Sequence, residues 1–191
     1  MTRGPTSKQL GYAQWLAGLA AKEQRGRLAA LRRGLMLDEE HLFELFGYMP
    51  PGFLEGLAAG EERLYLMVAA LFAYHPATFT AEELTERRRN LGESLRLLAE
   101  KQAPGVEPEE LLPDSLKRRM EALLAAPRGE LFGHLRQIIG LLKTKETPVD
   151  WAQLLCDLQM WEWTGHRVQW QWSRAFYVGR QAREGDETDV S

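Results

Sequence analysis

Between Pro148 and Tyr177 the chain places five of its six tryptophans within thirty residues, PVDWAQLLCDLQMWEWTGHRVQWQWSRAFY, and their spacing is helical. Trp151, Leu154, Leu155, Leu158 and Trp161 recur at steps of three and four, which gives one apolar stripe facing a core. Thr147 is the expected N-cap of that helix, with Pro148 at its first position and Asp150 completing a capping box. Asp157 lies beside the stripe and calls for a basic partner. After a break at Thr164 and Gly165, Val168, Trp172, Ala175 and Phe176 form a second stripe, while Arg167 and Arg174 share a solvent-side face. The segment is a helical hairpin studded with arginines.

The same periodicity governs the rest of the chain, and no alternating run of β-branched residues with hairpin turns occurs. The expected fold is all-α, with 191 residues sufficient for one domain or two small helical lobes. Lys8 to Ala21 reads as a first helix on Leu10, Trp15, Leu16 and Leu19. A second runs through Leu35 on Leu28, Leu31 and Leu35, with Gly26 a point of interruption. Asp38 is placed to cap a short helix to Phe46, and Gly47 to Gly60 reads as a loop before a helix to about Tyr74, ended by Pro76. Thr80 and Glu83 form a capping box for a helix running toward Glu100, with Gly92 a kink or close-contact site. Within it Arg87, Arg88 and Arg89 follow Glu82, Glu83 and Glu86 at salt-bridge spacing.

The proline- and acid-rich stretch Gln102 to Pro113 divides the expected organisation into an N-terminal lobe (1–101), a linker (102–113), a C-terminal helical bundle (114–180) and a disordered tail (181–191). In the second lobe Leu116, Met120, Leu123 and Leu124 give one stripe. Pro127 is expected to start the next helix, carrying Leu131, Leu135, Ile138 and Leu142.

Hydrophobic residues make up 45% of the chain and charged residues 27%, which argues against extensive disorder. No apolar run approaches the roughly 20 residues a membrane span needs, and no secretory layout opens the chain, so a cytoplasmic location without membrane contact is expected. The single cysteine, Cys156, forms no intramolecular disulfide and sits where burial is expected. His41, His75, His134 and His166 form no metal-binding spacing, His75 reads as solvated and His134 as half-buried packing, and glycine-rich phosphate loops are absent. No cofactor, no metal and no catalysis are expected.

Net charge of -3 hides a segregation of sign. Lys22 to Arg33 carries five basic residues against Glu23, and Ser115 to Lys145 carries seven against Glu121 and Glu130, whereas Asp38 to Glu62 holds seven acids and no base. Phosphate binding follows the local field rather than the total charge. A charged helix face is more commonly just solvated or self-paired. Of the tryptophans, Trp151, Trp161 and Trp172 fall on core stripes, while Trp163 and Trp170 are left for a partner interface or for covering the hairpin turn.

The aspartate-tryptophan helix start, the Leu-Leu-x-Asp-Leu-x-x-Trp run and the closing Trp-x-x-x-Phe-Tyr resemble the CasB family, the small subunit of the type I-E CRISPR complex Cascade. LAALRRG at Leu28 to Gly34, NLGESLRLL at Asn90 to Leu98, LKRRMEALL at Leu116 to Leu124 and LFGHLRQIIGLL at Leu131 to Leu142 agree in order and spacing. The resemblance implies a noncatalytic subunit that forms a homodimer among crRNA-containing Cascade subunits. It also implies binding of displaced single-stranded DNA, with RNA or duplex DNA as nonspecific alternatives, so that the R-loop is stabilised. Carried onto this chain, the family's basic patch falls on Arg32, Arg33, Arg118, Arg119 and Arg136, with Arg25 and Lys143 as weaker companions. Gln169 and Gln171 stand where the family often shows basic residues, which weakens the case for Arg167 and Arg174. The competing expectation is a helical adaptor whose arginines meet acidic protein surfaces and never touch nucleic acid.

Overall fold

Ten α-helices and two 3-10 turns make up the described part of a computed structural model, which covers residues 4–36, 44–107, 110–163 and 165–179. They are α1 (Ser7–Ala21), α2 (Arg25–Arg33), α3 (Pro51–Leu54), α4 (Ala59–Tyr74), α5 (Ala81–Glu86), α6 (Leu91–Gln102), α7 (Asp114–Ala125), α8 (Leu131–Thr144), α9 (Trp151–Gln159) and α10 (Arg167–Tyr177). Extended pairing among the described residues is limited to one isolated parallel bridge, Thr78 to Val149. The all-α expectation is met.

Helix α4 is the axis of the structure. Every residue from Leu64 to Ala73 is buried, so this helix has no polar stripe and must be surrounded. Helices α2, α8 and α9 pack on it, as does the 3-10 turn Gly34–Met36, while α1 joins α2 to α9. Helix α10 lies along α6 and touches α7, and α7 pairs with α8. Helices on both sides of the 102–113 segment contribute to one hydrophobic cluster. Tyr12, which falls off the expected α1 stripe, is fully buried there and donates its hydroxyl to the Tyr65 carbonyl at 2.7 Å.

Side-chain caps explain where α1, α5, α6 and α9 start. Thr6 and Gln9 form a reciprocal capping box on α1, and Thr80 and Glu83 form one on α5. Helix α5 nevertheless stops at Glu86 rather than running toward Glu100: Arg87 is extended, and Asn90 caps a new helix by accepting from the Glu93 N–H. Arg87, Arg88 and Arg89 therefore leave the helix and do not pair with the preceding glutamates as expected. Arg87 pairs with Glu93 at 2.8 Å, Arg88 with buried Asp150, and Arg89 reaches Glu93 at 4.0 Å while covering the Phe79 ring.

Several other boundaries differ. Gly26 does not interrupt α2, which instead tightens into the 3-10 turn at Gly34. The stretch 47–60 contains α3 and the start of α4. Pro127 opens a turn, its carbonyl accepting from the Glu130 N–H, and α8 begins only at Leu131. Asp150, not Thr147, is the N-cap of α9: its carboxylate accepts from the Gln153 N–H at 3.0 Å and from the Arg89 N–H at 3.1 Å. Thr147 is buried upstream, where its carbonyl accepts from His75 Nε2 at 2.7 Å. His75 is thus a buried tie rather than a solvated side chain, and burial holds its pKa below the ordinary value. The capping role given to Asp38 and the tail 181–191 lie outside the described residues.

Asp157 also finds different partners from the basic one expected. Trp172 Nε1 donates to it at 2.7 Å and Gln153 Nε2 at 2.8 Å, so one buried carboxyl ties α9 to α10. Burial pushes this group from 3.8 up to about 6, although both donors pull it down. A carboxyl raised on folding favours the native state when protonated. Its contribution is complete below about pH 4 and is lost as pH rises through about 6. Asp157→Asn, which cannot ionise, should lack this slope. Calorimetry across that window is expected to show wild type losing stability relative to the variant by an amount on the order of 3 kcal/mol.

Gly92 resolves as a close contact, not a kink. A Cβ there would lie 2.2 Å from the Trp172 carbonyl oxygen, which belongs to the backbone of α10 and has no freedom to step aside. Gly92→Ala is expected to cost about 1–3 kcal/mol by urea denaturation, despite alanine's better helix propensity.

Candidate nucleic-acid interface

A helix buried along its length still ends in carbonyls that need donors. At the C-terminus of α4, Arg32 of α2 meets this demand by donating Nε to the Ala73 carbonyl at 3.1 Å. The next residue, Tyr74, presents its ring to Lys143 of α8, whose Nζ lies 4.1 Å from the centroid. Arg136, two turns earlier on α8, donates to the Leu35 carbonyl at 2.9 Å, just beyond α2. Three cations named from the sequence, on helices more than a hundred residues apart, thus converge where α2, α4 and α8 meet.

Helix α8 extends this surface toward α7. Gln137, beside Arg136, accepts from Arg119 at 3.3 Å. Arg118, Arg119, Ala122, His134, Gln137 and Ile138 line a shallow cleft between the two helices. Arg118 is exposed and makes no hydrogen bond or ion pair with the described residues. Among those residues none of Arg32, Arg118, Arg119, Arg136 and Lys143 pairs with a carboxylate. Each arginine has five N–H donors and spends one on its anchor at most, so the charge and most donors stay available to an incoming oxyanion.

The other two sequence-named cations stand apart. Arg33 faces Glu44 at 3.9 Å and Tyr48 at 3.3 Å, and Arg25 pairs with Glu23 at 3.6 Å, in both cases as solvent-exposed contacts. Their charge is partly met by neighbours. Arg96, which the sequence did not single out, donates to the Phe176 and Tyr177 carbonyls at 3.2 and 3.5 Å and pairs with Glu100, so it closes the C-terminus of α10. Its signal was visible only in retrospect: Arg96 precedes Glu100 by one helical turn.

On α10, Arg167 and Arg174 are exposed as expected, and so is Trp170 at 73%; Trp163, in the turn before it, is 55% exposed. Trp151, Trp161 and Trp172 are buried. Among the described residues no group of histidine, cysteine, aspartate and glutamate is placed to hold a metal, and no helix is long and apolar enough to cross a membrane.

Anchored and unanchored arginines should separate in stability. Arg136→Ala is expected to cost about 0.5–1.5 kcal/mol through its lost hydrogen bond. Arg118→Ala should stay within about 0.5 kcal/mol of wild type, both by urea denaturation.

Sequence and fold point the same way when set beside known proteins. The family model described as CRISPR-associated protein Cse2 matches residues 27–177. The crystal structure of M. ruber CasB superposes with a TM-score of 0.67 at 28% identity, over 91% of this chain and 94% of that one. CasB from Thermus thermophilus gives 0.70 at 26% identity, over 92% and 100%. A chain of a CRISPR RNA-guided surveillance complex shares the fold with a TM-score of 0.70 at 22% identity, over 90% and 92%. A search among curated proteins finds no significant match.

Proposed function

Because this chain belongs to the CRISPR-associated Cse2 family, whose solved members are also named CasB, we propose that it is a noncatalytic small subunit of a type I-E Cascade complex. In this role its basic face holds the displaced, non-target DNA strand and stabilises the R-loop. The observation that carries this role is the gathering of Arg32 and Lys143 at the end of α4 and of Arg136 at the turn after α2, continued by Arg118 and Arg119 across α8. When guide RNA pairs with the target strand, the other strand is left single and competes to re-anneal. A surface that neutralises its phosphates and releases counterions lowers the free energy of the open state without reading sequence. Two copies packed side by side in the complex would lengthen that surface. No step of this mechanism needs a reacting group; the chain acts by binding alone.

Net negative charge has a place in the same scheme. A subunit whose cations are confined to one face gains little from binding stray nucleic acid, because long-range attraction follows total charge while the bound state follows the local field. Strand capture then depends on the complex presenting the strand.

The role is tested in a reconstituted complex carrying wild-type chain or a variant with Arg32, Arg118, Arg119 and Arg136 changed to glutamine. Assembly is expected to persist, R-loops should dissociate faster, and the salt dependence of their lifetime should flatten by about 0.7 in slope per lost phosphate contact. Unchanged lifetimes with intact assembly would exclude the face from strand binding. Loss of assembly would instead make these arginines protein contacts, as in a helical adaptor.

A further inference from the structure

We infer that α10 carries a second element of the strand path, a stacking platform on which Trp170 receives one base of the displaced single-stranded DNA while Arg167 and Arg174 take the flanking phosphates. This rests on the strand-holding role above and adds a different kind of contact to it. Three observations support the platform. Trp170 is the most exposed large apolar side chain among the described residues, on a helix where Trp172 and Phe176 are fully buried and Tyr177 is exposed at the C-terminal end. Arg167 and Arg174 bracket it at three and four residues, on the same face of the helix, about 4.5 and 6 Å away along the axis. Both are exposed, and neither forms an ion pair with the described residues.

The helix RVQWQWSRAFY contains no acidic residue of its own, so the face offers cations and an aromatic plane; Glu121 of α7 approaches it at the far end, where it accepts from the Tyr177 hydroxyl at 3.4 Å. A nucleotide supplies both complements at once, since every base has a π-face and every linkage an anion. The platform is also firmly held. Arg96 secures the carbonyls of Phe176 and Tyr177, and Gly92 lets α6 approach the α10 backbone directly. Gln169, expected to mark a weaker contribution of this helix, is turned inward, donating to the Trp161 carbonyl at 2.8 Å. The indole takes over the outward position.

The test uses the full chain in the reconstituted complex, bound to target DNA whose displaced strand carries 2-aminopurine at successive positions. With wild type, fluorescence should be quenched at one or two positions. Trp170→Phe should keep part of that quenching, and Trp170→Ala should abolish it and shorten the R-loop lifetime roughly fivefold or more. Thermal stability of the variants should match wild type, because the side chain is exposed. The inference is overturned if Trp170→Ala leaves the quenching and lifetime unchanged, or if it blocks assembly, which would assign the indole to a protein neighbour. Sensitivity of the lifetime to the basic-face glutamines alone would overturn the platform and leave the proposed function standing. Quenching by Trp170 with no effect of those glutamines would remove the basic face from the strand path and leave the platform standing.

Discussion

Ten successive buried residues in one helix set the terms for everything around it. Leu64 to Ala73 can be covered only if helices approach α4 from several sides, and α2, α8 and α9 do so. The same burial leaves the C-terminal carbonyls of α4 in a crowded place, away from ready hydration. His75 N–H takes the Leu71 carbonyl, and the Arg32 guanidinium takes that of Ala73. A requirement of folding therefore puts a cation at the junction of three helices. Arg136 repeats the device at the Leu35 carbonyl, in the 3-10 turn after α2. The basic face is built from the ends of structural elements and not from a charged stripe laid along one of them.

A second polar centre holds the other side of the molecule. Asp150 caps α9 while accepting from Arg88 and from the Arg89 backbone, and seven residues later Asp157 receives the indole of Trp172. Both carboxyls are buried, and burial raises both above their ordinary values against the pull of their donors. Their placement on one helix means that α9 connects to the α5–α6 junction at its start and to α10 at its middle. The tryptophan-rich hairpin is thus located by hydrogen bonds as much as by apolar area.

Helices, their inward stripes and the cationic segments were legible in the sequence because each depends on spacing within about one turn to four turns of chain. Val168, Trp172 and Phe176 are buried as their period requires, and Arg32, Arg118, Arg119 and Arg136 point away from their leucines. What was not legible depends on partners distant in the chain. Arg87 to Arg89 looked like companions of the preceding glutamates, yet an extended residue at 87 delivers them to Glu93 and Asp150. Thr147 and Pro148 carry the local signature of a helix start, but the backbone there is drawn into a bridge with Ala77 and Thr78, so the start moves to Asp150. His75 and Asp157 were assigned the wrong surroundings for the same reason: their partners are Thr147, 72 residues away, and Trp172, 15 away in another helix. Tyr12 lies off the leucine stripe of α1, and its burial depends on the Tyr65 carbonyl, 53 residues away, which satisfies its hydroxyl in the core.

The anchoring of Arg32 and Arg136 to carbonyls has a further effect on any ligand they meet. A free arginine surrenders rotamer entropy when it grips a phosphate, a cost of about 0.5–1.5 kcal/mol for each side chain immobilised. Arg32, Arg136 and, through its ring contact, Lys143 have largely surrendered that freedom during folding. In the proposed role their charge is therefore preorganised, held at fixed points before a strand arrives. Arg118, exposed and unanchored among the described residues, keeps that freedom at the margin. A surface proposed to hold a strand would thus divide its labour between a rigid register that meets it at little entropic loss and a compliant edge that tolerates its motion.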